Sequence, residues 1–310
     1  MTNQSMSGST APAADEVVST VAEKSLDAKP NRRVRKRTPL YWVQVVLKGL
    51  VGLIFLLAAL FPLAWMVIAG FKARNEVVRT PFQFFPEVWR YENYVQILQD
   101  PVFLRTLGWT FLGAVLFCLL HLTVNSMAAY AFARLEFRFK KTLWVIVITT
   151  MFIPGMTILL TSFVVVTQLS MLDTLAVLVI PGAASAASVF FIRQFYLNIP
   201  SSLEEAAMLD GCGRFQIFIR LFLPLSKPPF VVMGITAFLA YWNSYVWPIM
   251  TITSREKYVL QQYLATFRSE RQTELGLLMA GSTLTAAPVV ILFLIFQKQI
   301  IGNIKMSGLK

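Results

Sequence analysis

The chain has 310 residues, of which 56% are hydrophobic and only 14% are charged, yet its net charge is +12. Soluble domains contain about 45–50% apolar and about 25% charged residues, so this composition indicates a membrane protein. The basic residues are scattered among apolar segments, which favours a positive-inside membrane protein over a nucleic-acid-binding protein. Cys118 and Cys212 are far apart in the sequence and predict neither a disulfide framework nor a metal site.

The N-terminal segment, residues 1–40, is predicted to be a disordered cytoplasmic tail with a basic end. Its first 30 residues are rich in Ala, Ser, Thr and acidic residues without helical periodicity, and no apolar core of a secretory signal is present. A basic cluster then precedes the first apolar segment: Arg32, Arg33, Arg35, Lys36 and Arg37. This cluster is expected to fix the topology, with binding to anionic lipid as a secondary effect.

Six apolar segments are long enough to cross a bilayer as helices, which takes about 20 residues each. They lie near residues 46–71, 107–132, 142–168, 174–196, 229–251 and 277–297. Pro154, Pro181 and Pro288 fall within three of these segments, and neighbouring helices can satisfy the carbonyls that they leave free. We therefore predict an all-α membrane protein with a six-helix transmembrane domain over residues 41–310.

The distribution of charge predicts the orientation of these six segments. If the N-terminus lies inside, the inward segments carry nearly all of the excess positive charge, whereas the outward loops near 72–106 and 251–276 are almost neutral. Cytoplasmic loops of membrane proteins are enriched in Lys and Arg. Both termini are therefore predicted to be cytoplasmic, in agreement with an even number of spans.

The inward loop over residues 197–228 is patterned rather than a simple connector. Ser201 with Glu204 has the spacing of a capping box, and Gly211 is suited to the left-handed end of a helix. A second amphipathic stretch runs from Arg214 to Pro224. The small side chains of the first helix would allow another protein to approach closely, but these features also fit a helix that lies on lipid. The pattern by itself leaves both interpretations open.

The same loop resembles the EAA loop of ABC importer permeases. The matching residues are Glu205, Ala206, Ala207, Gly211, Leu221 and Pro224, and the family more often has Ile where Leu221 stands. Other segments resemble the carbohydrate-uptake branch, and within it the six-span maltose-type permease subunit. These segments are Tyr130–Arg134, Phe152–Gly155, Phe191–Phe195, Asn198–Pro200, Trp242–Asn243 and Trp247–Pro248. The resemblance covers the chain from about residue 45 to its end.

This resemblance implies a type I ABC importer permease fold and a specific set of partners. The helix near Ser201 would be the coupling helix that sits in a cleft of a separate ATP-binding subunit. The implied coupling residues are Glu205, Ala206, Ala207, Asp210, Gly211, Leu221 and Pro224. The implied partners are a second homologous permease subunit, two ATP-binding subunits, an extracytoplasmic substrate-binding protein and the lipid bilayer.

No P-loop motif occurs in the chain. ATP and Mg²⁺ are therefore expected on the partner ATPase, and the chain itself is expected to be a transport subunit without a cofactor rather than an enzyme.

Its expected location is the bacterial inner membrane, where it would move a sugar or oligosaccharide inward by alternating access. A peptide or another small solute is the alternative cargo. An ion-coupled transporter would place acids within the spans, and these spans have acids only at their edges.

Polar side chains within the apolar segments are candidates for lining a translocation path, because such groups usually face the interior of a bundle. The candidates are Asn125, Ser126, Trp242, Asn243 and Tyr245, together with Ser244. Aromatic and amide groups suit the faces and hydroxyls of sugars. Hydrogen bonds between helices, or an aromatic belt at the membrane interface, are the alternative roles. His121 is expected to be a hydrogen-bonded partner between helices rather than a proton relay, because no carboxylate accompanies it.

Overall fold

The computed structural model describes residues 39–268 and 274–307, with side-chain environments for residues 41–268 and 274–298. Of the tail predicted over residues 1–40, the first 38 residues lie outside this described part, as do the last three residues of the chain. The chain divides into two compact units, Met1–Leu60 and Phe61–Lys310, with the boundary inside the first described helix. All of the functional elements discussed below belong to the second unit.

The described residues form an all-helical structure. Its α-helices are α1 (Pro39–Ala69), α2 (Arg74–Val77), α3 (Glu92–Gln99), α4 (Pro101–Arg134), α5 (Lys140–Thr150), α6 (Gly155–Gln168), α7 (Leu175–Val179), α8 (Ala186–Leu197), α9 (Ser201–Leu209), α10 (Arg214–Ile217), α11 (Leu223–Leu225), α12 (Lys227–Trp242), α13 (Val246–Thr251), α14 (Leu260–Ala265) and α15 (Leu275–Ser307). A π-helical segment, Phe218–Phe222, joins α10 to α11, and a 3₁₀ turn, Arg255–Lys257, lies between α13 and α14.

Three of the six predicted spans are continuous helices of spanning length. These are Tyr41–Ala69, Pro101–Arg134 and Leu275–Lys298. Each of the other three predicted segments contains a break between two helices, so the described residues do not show six continuous spans. The chain bends by 105° between α5 and α6, and α12 makes an angle of 80° with the helical segment that precedes it. Length and composition thus give three spans in the described residues, or up to five if each bent pair is one span.

Proline and its neighbours account for the interruptions. Proline lacks the N–H that a helix needs and its ring clashes with the carbonyl four residues back. Pro154 is the N-cap of α6, and Pro181 lies in the gap between α7 and α8. Pro248 stands in the first turn of α13, where the missing N–H does no harm. Pro288, by contrast, lies inside the unbroken helix α15.

Helix α4 is the central element of the second unit, where it packs against α8 and α12. The close approach of α4 to α12 depends on Gly113, because a β-carbon there would collide with the hydroxyl of Tyr241. Side chains of α4, α12, α14 and α15 share one buried apolar cluster. A smaller buried cluster surrounds Tyr130, Tyr196 and Phe222, where the ends of α4 and α8 meet the segment after Gly211.

Of the segment predicted as an outward loop near 251–276, the described residues 251–268 are folded against the helices. Leu260 and Tyr263 of α14 are buried, and the Tyr263 hydroxyl donates a 2.6 Å hydrogen bond to Asp100. Asp173 accepts hydrogen bonds from the backbone N–H groups of Thr253 (3.1 Å) and Ser254 (3.0 Å). These contacts hold the segment after α13 to the turn after α6.

Candidate functional site

The helix predicted as a docking element exists as α9 and has well-defined ends. The capping-box prediction is wrong, because Pro200 is the N-cap, no side chain caps the helix, and Ser201 is its first residue. The left-handed prediction for Gly211 is confirmed by its φ of +80°. Two 3.0 Å bonds close the C-terminus, from Gly211 N to Met208 O and from Cys212 N to Ala207 O. This is a Schellman motif, which reverses the chain sharply after α9.

Glu204 is buried, although it belongs to a short surface helix. Its side chain is only 7% exposed. Arg214 donates a hydrogen bond to its carboxylate through Nη1, and the Nε of Arg134 lies 3.8 Å from Oε2. A buried carboxylate is stable only when cations or N–H donors compensate it. Glu204 is therefore committed to an internal ion-pair cluster and is not available to a partner protein.

Arg134 extends this cluster to two other elements. From the C-terminal end of α4, its Nη2 donates to the carbonyl of Tyr196 at 2.7 Å and to the carbonyl of Ile199. Its guanidinium carbon lies 5.3 Å from the ring centroid of Phe222. The side chain of Arg134 thus links the C-terminal end of α4 to Glu204 of α9 and to the backbone at the end of α8. We name Glu204, Arg134 and Arg214 the charge cluster.

Sequence reasoning missed the charge cluster. Arg134 and Glu204 are distant in the sequence, so no local spacing links them. The signal that was available is a second acid beside Glu205, with a basic residue shortly after the helix at Arg214.

One face of α9 points away from the rest of the chain and has no partner within the described residues. We call it the outward face of α9, although the helix belongs to the inward loop. Glu205, Ala206 and Asp210 are exposed, and Leu209 is 90% exposed, whereas Ala207 packs partly on the smaller buried cluster. A helix seated by hydrophobic burial alone would turn its leucine inward and its acids outward. Here an acid is buried and a leucine projects, which is the arrangement expected of a surface that another molecule covers.

The two remaining residues predicted for coupling lie in the second half of the loop. Leu221 packs against the smaller buried cluster, and Pro224 is exposed in the short helix α11. Pro224 has no N–H to donate to the carbonyl of Arg220, and the π-helical segment that ends at Phe222 accommodates this defect.

Two of the residues predicted for the path, Asn125 and Ser126, are fully buried and hydrogen-bonded. Asn125 donates to the carbonyls of His121 (2.6 Å) and Ala183 (2.8 Å) and accepts from Ser185 N (2.8 Å). It therefore satisfies backbone groups in the gap between α7 and α8. Ser126 donates to the carbonyl of Thr123 at 3.1 Å.

The other predicted path residues lie near the end of α12. Trp242 is buried, and its Nε1 donates to the carbonyl of Thr285 at 3.3 Å. Asn243 and Tyr245 are exposed in the interruption between α12 and α13. His121 is buried, and its Nε2 lies 2.9 Å from the hydroxyl of Ser188 on α8.

The three helix interruptions converge on one cavity of about 260 Å³. Gly155 at the start of α6, Gly182 in the gap after α7, and Ser244 after α12 all border it. Convergence of backbone breaks is informative, because irregular backbone at membrane depth is tolerated where it lines a cavity. Sequence reasoning did not predict this cavity, and its only signals were the prolines and glycines at the breaks.

The walls of this cavity are largely apolar and include three aromatic side chains. Phe117, Tyr241 and Trp247 line it, and the Trp247 Nε1 is held by the carbonyl of Val177 at 2.8 Å. The Tyr241 hydroxyl is buried and has no hydrogen-bond partner within the described residues. A buried polar group without a partner is costly, and this hydroxyl packs against Gly113 of α4 instead of facing the open cavity. Across the described residues, no group of three or more His, Cys, Asp or Glu residues could hold a metal ion.

Comparisons with known proteins identify permease proteins of similar sequence. An arabinooligosaccharides transport system permease protein (AraQ) of Halalkalibacterium halodurans is 30% identical over 284 residues, which are 89% of this chain and 99% of that protein. A diacetylchitobiose uptake system permease protein (NgcG) of Streptomyces coelicolor is 28% identical, over 79% of this chain and 82% of that protein.

Among solved structures, a chain of a bacterial ABC transporter involved in the import of the acidic polysaccharide alginate has the same fold. Its TM-score is 0.74 at 23% identity, over 84% of this chain and 98% of that chain. Residues 125–305 match the model of a single protein family, and this range includes the charge cluster, α9 and the three helix breaks. The chain therefore belongs to the family of binding-protein-dependent transport system inner membrane components.

Proposed function

We propose that this chain is the permease subunit of an ATP-driven importer, in which a separate polypeptide hydrolyses ATP and this chain conducts a sugar or oligosaccharide inward. Family membership supports a role in import, and the relatives named above are permeases for arabino-oligosaccharides and diacetylchitobiose. The observation that carries the proposal is α9, which buries Glu204 and presents Leu209.

The outward face of α9 is the docking surface for the ATP-binding subunit in this proposal. Glu205 would pair with a basic group of that subunit, Ala206 would allow close contact, and Leu209 would enter an apolar cleft. Asp210 adds a second negative charge to the same face. The inner leaflet is itself negative, so it repels a helix with two exposed acids. A protein partner is therefore favoured over lipid as the cover of this face.

The charge cluster is the part of the proposal that connects ATPase motion to the bundle. A movement of α9 is transferred through Arg134 to α4 and through the carbonyls of Tyr196 and Ile199 to the end of α8. Transport requires that the ATPase contact α9 differently in its two states, since equal affinity for both would shift no equilibrium. Leu221, Gly211 and Pro224 shape the loop that holds α9 in place.

The cavity at the helix interruptions is the proposed part of the translocation path within this chain. Aromatic rings can stack on sugar faces, and Phe117, Tyr241 and Trp247 supply such rings here. Asn243 and Tyr245 would contact the solute from the break after α12. Asn125, Ser126 and Trp242 would act indirectly, because their polar groups already hold the surrounding backbone.

For the topology we propose six crossings, with the third, fourth and fifth interrupted and both termini in the cytoplasm. The asymmetric distribution of Lys and Arg supports this orientation. The proposed assembly contains a second permease subunit, two ATP-binding subunits and an extracytoplasmic binding protein. A related alginate transporter is described in complex with an alginate pentasaccharide-bound periplasmic protein, which supports the last of these partners.

Uptake by the assembled complex in sealed vesicles tests the proposed transport. Labelled arabino-oligosaccharide, diacetylchitobiose and a short peptide are offered with the binding protein, with and without ATP inside the vesicle. We expect ATP-dependent accumulation of a sugar and none of the peptide. Accumulation of the peptide alone would overturn the cargo. Uptake that follows an imposed proton or sodium gradient without ATP would favour an ion-coupled transporter and contradict the proposal.

Co-purification tests the docking surface. Glu205→Lys reverses a charge on the outward face of α9, and Glu256→Lys makes the same change on an exposed residue of the 3₁₀ turn between α13 and α14. We expect Glu205→Lys to lose the ATP-binding subunits while Glu256→Lys retains them. Retention in both variants, with normal uptake, would refute the assignment of α9.

A further inference from the structure

A second cavity lies away from the loop over residues 197–228, which we call the coupling loop, at the connection between α4 and α5. Its volume is about 490 Å³. The N-terminus of α5 contributes Lys140, Lys141 and Trp144 to its lining, α8 contributes Arg193, and the connection contributes Glu136. No role assigned above uses these residues.

The cavity has an excess of positive charge. Glu136 is the only acid among the described residues that line it, and its carboxylate is already paired with the Lys140 ammonium at 3.0 Å. Lys141 and Arg193 form no ion pair with any residue in the described part of the chain. Two uncompensated cations therefore border a space that has room for a ligand, which gives the cavity complementarity to an anion.

Arg193 is held in position before any ligand arrives. Its Nε donates to the carbonyl of Phe132 at 3.1 Å, and its guanidinium carbon lies 4.2 Å from the ring centroid of Trp144. The two terminal nitrogens make no hydrogen bond to the described residues, so a planar pair of donors remains free. A fixed guanidinium with free terminal N–H groups matches the geometry of a phosphate.

An apolar surface continues from the cavity along α5. Leu143, Val145 and Ile146 are exposed there, and the Trp144 ring stacks on Phe190 with centroids 6.2 Å apart. Tryptophan is enriched at the level of lipid head groups, with apolar side chains deeper in the membrane. A phosphate held by Arg193 would thus carry any attached acyl chains onto the exposed face of α5.

We propose that this cavity binds the phosphate head group of an anionic phospholipid, such as phosphatidylglycerol, from the inner leaflet. Basic cavities between helices on the cytoplasmic side of a membrane protein are suited to anionic head groups. The inference rests on the proposed orientation, which places the connection between α4 and α5 inside. The adjacent apolar face favours a lipid over free phosphate or an acidic protein segment, because neither of these would cover it.

Lipid binding is measured on the complete complex with its partner subunits, purified in detergent with equal amounts of phosphatidylglycerol and phosphatidylcholine. Native mass spectrometry counts the lipid molecules that each preparation retains. We expect selective retention of phosphatidylglycerol. Lys141→Gln and Arg193→Gln should each reduce it about fivefold, since each removes one cation near the head group. Arg193→Lys keeps the charge but loses the planar donors, so an intermediate effect is expected.

Arg220→Gln is the matched control, because Arg220 is an exposed basic residue of the coupling loop outside this cavity. It should retain phosphatidylglycerol as the unmodified chain does. Equal retention in all variants would overturn the proposal. Displacement by inorganic phosphate as readily as by phosphatidylglycerol would identify a free-anion site instead, and loss of the ATP-binding subunits in Lys141→Gln would identify a protein contact. Selective lipid binding without any ATP-dependent uptake would contradict the proposed function but not this site.

Discussion

Replacement of Glu204 by glutamine tests the charge cluster most sharply. The substitution keeps the shape of the side chain and removes its charge. The side chains of Glu204 and Arg134 are 7% and 12% exposed, so water cannot easily replace the lost partner of Arg134. Removal of one partner from a buried ion pair costs about 3–5 kcal/mol. Arg214 is 52% exposed and can be rehydrated, and glutamine keeps one acceptor oxygen, so we expect a cost of about 3 kcal/mol.

Amide hydrogen exchange over α9 in the purified complex measures this cost. A loss of about 3 kcal/mol corresponds to a loss of protection of about 150-fold where opening of the helix limits exchange. Glu205→Gln is the matched control, because it makes the same chemical change at the next residue, which is exposed. In this variant the protection of the α9 amides from hydrogen exchange should remain unchanged, while binding of the ATP-binding subunits should weaken. Unchanged protection in Glu204→Gln, or the same loss in both variants, would refute the reasoning.

Three further substitutions address other parts of the structure. Gly211→Val should lower the free energy of unfolding, measured by thermal denaturation, by about 1–3 kcal/mol, because φ at Gly211 is +80°. Gly211→Asn should lower this free energy less, and equal effects of the two substitutions would contradict the left-handed assignment. The Ser254 hydroxyl, as a hydrogen-bond donor, is the main cause that lowers the pKa of Asp173. Its stabilising effect is therefore complete above the unfolded pKa of about 3.9 and is lost as the pH falls through the lower folded value. Asp173→Asn should remove this part of the acid dependence of thermal unfolding, and an unchanged profile would contradict the contact. Tyr241→Phe should leave the thermal stability unchanged or raise it, since the buried hydroxyl has no partner among the described residues; a clear loss of thermal stability would contradict this assignment.

Sequence reasoning succeeded where the determinants are local. The continuous apolar stretch that forms α4 predicts a long helix by itself. The left-handed residue after α9 follows from glycine's lack of a β-carbon, and the structure has φ of +80° at Gly211. Both features depend on residues that are adjacent in the chain.

The interruptions of the helices could not be predicted in this way. Pro181 lies in a gap whereas Pro288 lies in an unbroken helix, although both stand in apolar segments. Asn125 from α4 donates to the carbonyl of Ala183 and accepts from the N–H of Ser185, which stabilises the open backbone after Pro181. A side chain on another helix therefore decides whether the break is tolerated, and hydropathy does not record it.

The capping-box prediction failed for a similar reason. The spacing of Ser201 and Glu204 is correct for a cap, but the carboxylate of Glu204 bonds to Arg214 and faces Arg134 instead. Two cations in a shielded site stabilise a carboxylate more than a single backbone N–H at an exposed helix end. Tertiary contacts thus override a local motif, and Glu205 rather than Glu204 is left on the surface.

Photo-crosslinking from the outward face of α9 is the most direct test of the central claim that this helix docks onto a separate ATPase. A photoreactive amino acid is placed at Leu209, which is 90% exposed, and at Phe139, which is 64% exposed on the connection between α4 and α5. Illumination of the complete complex in membranes should join position 209 to the ATP-binding subunit, while position 139 should give no such product. Crosslinks from position 209 to lipid alone would contradict the account and assign α9 to the membrane surface.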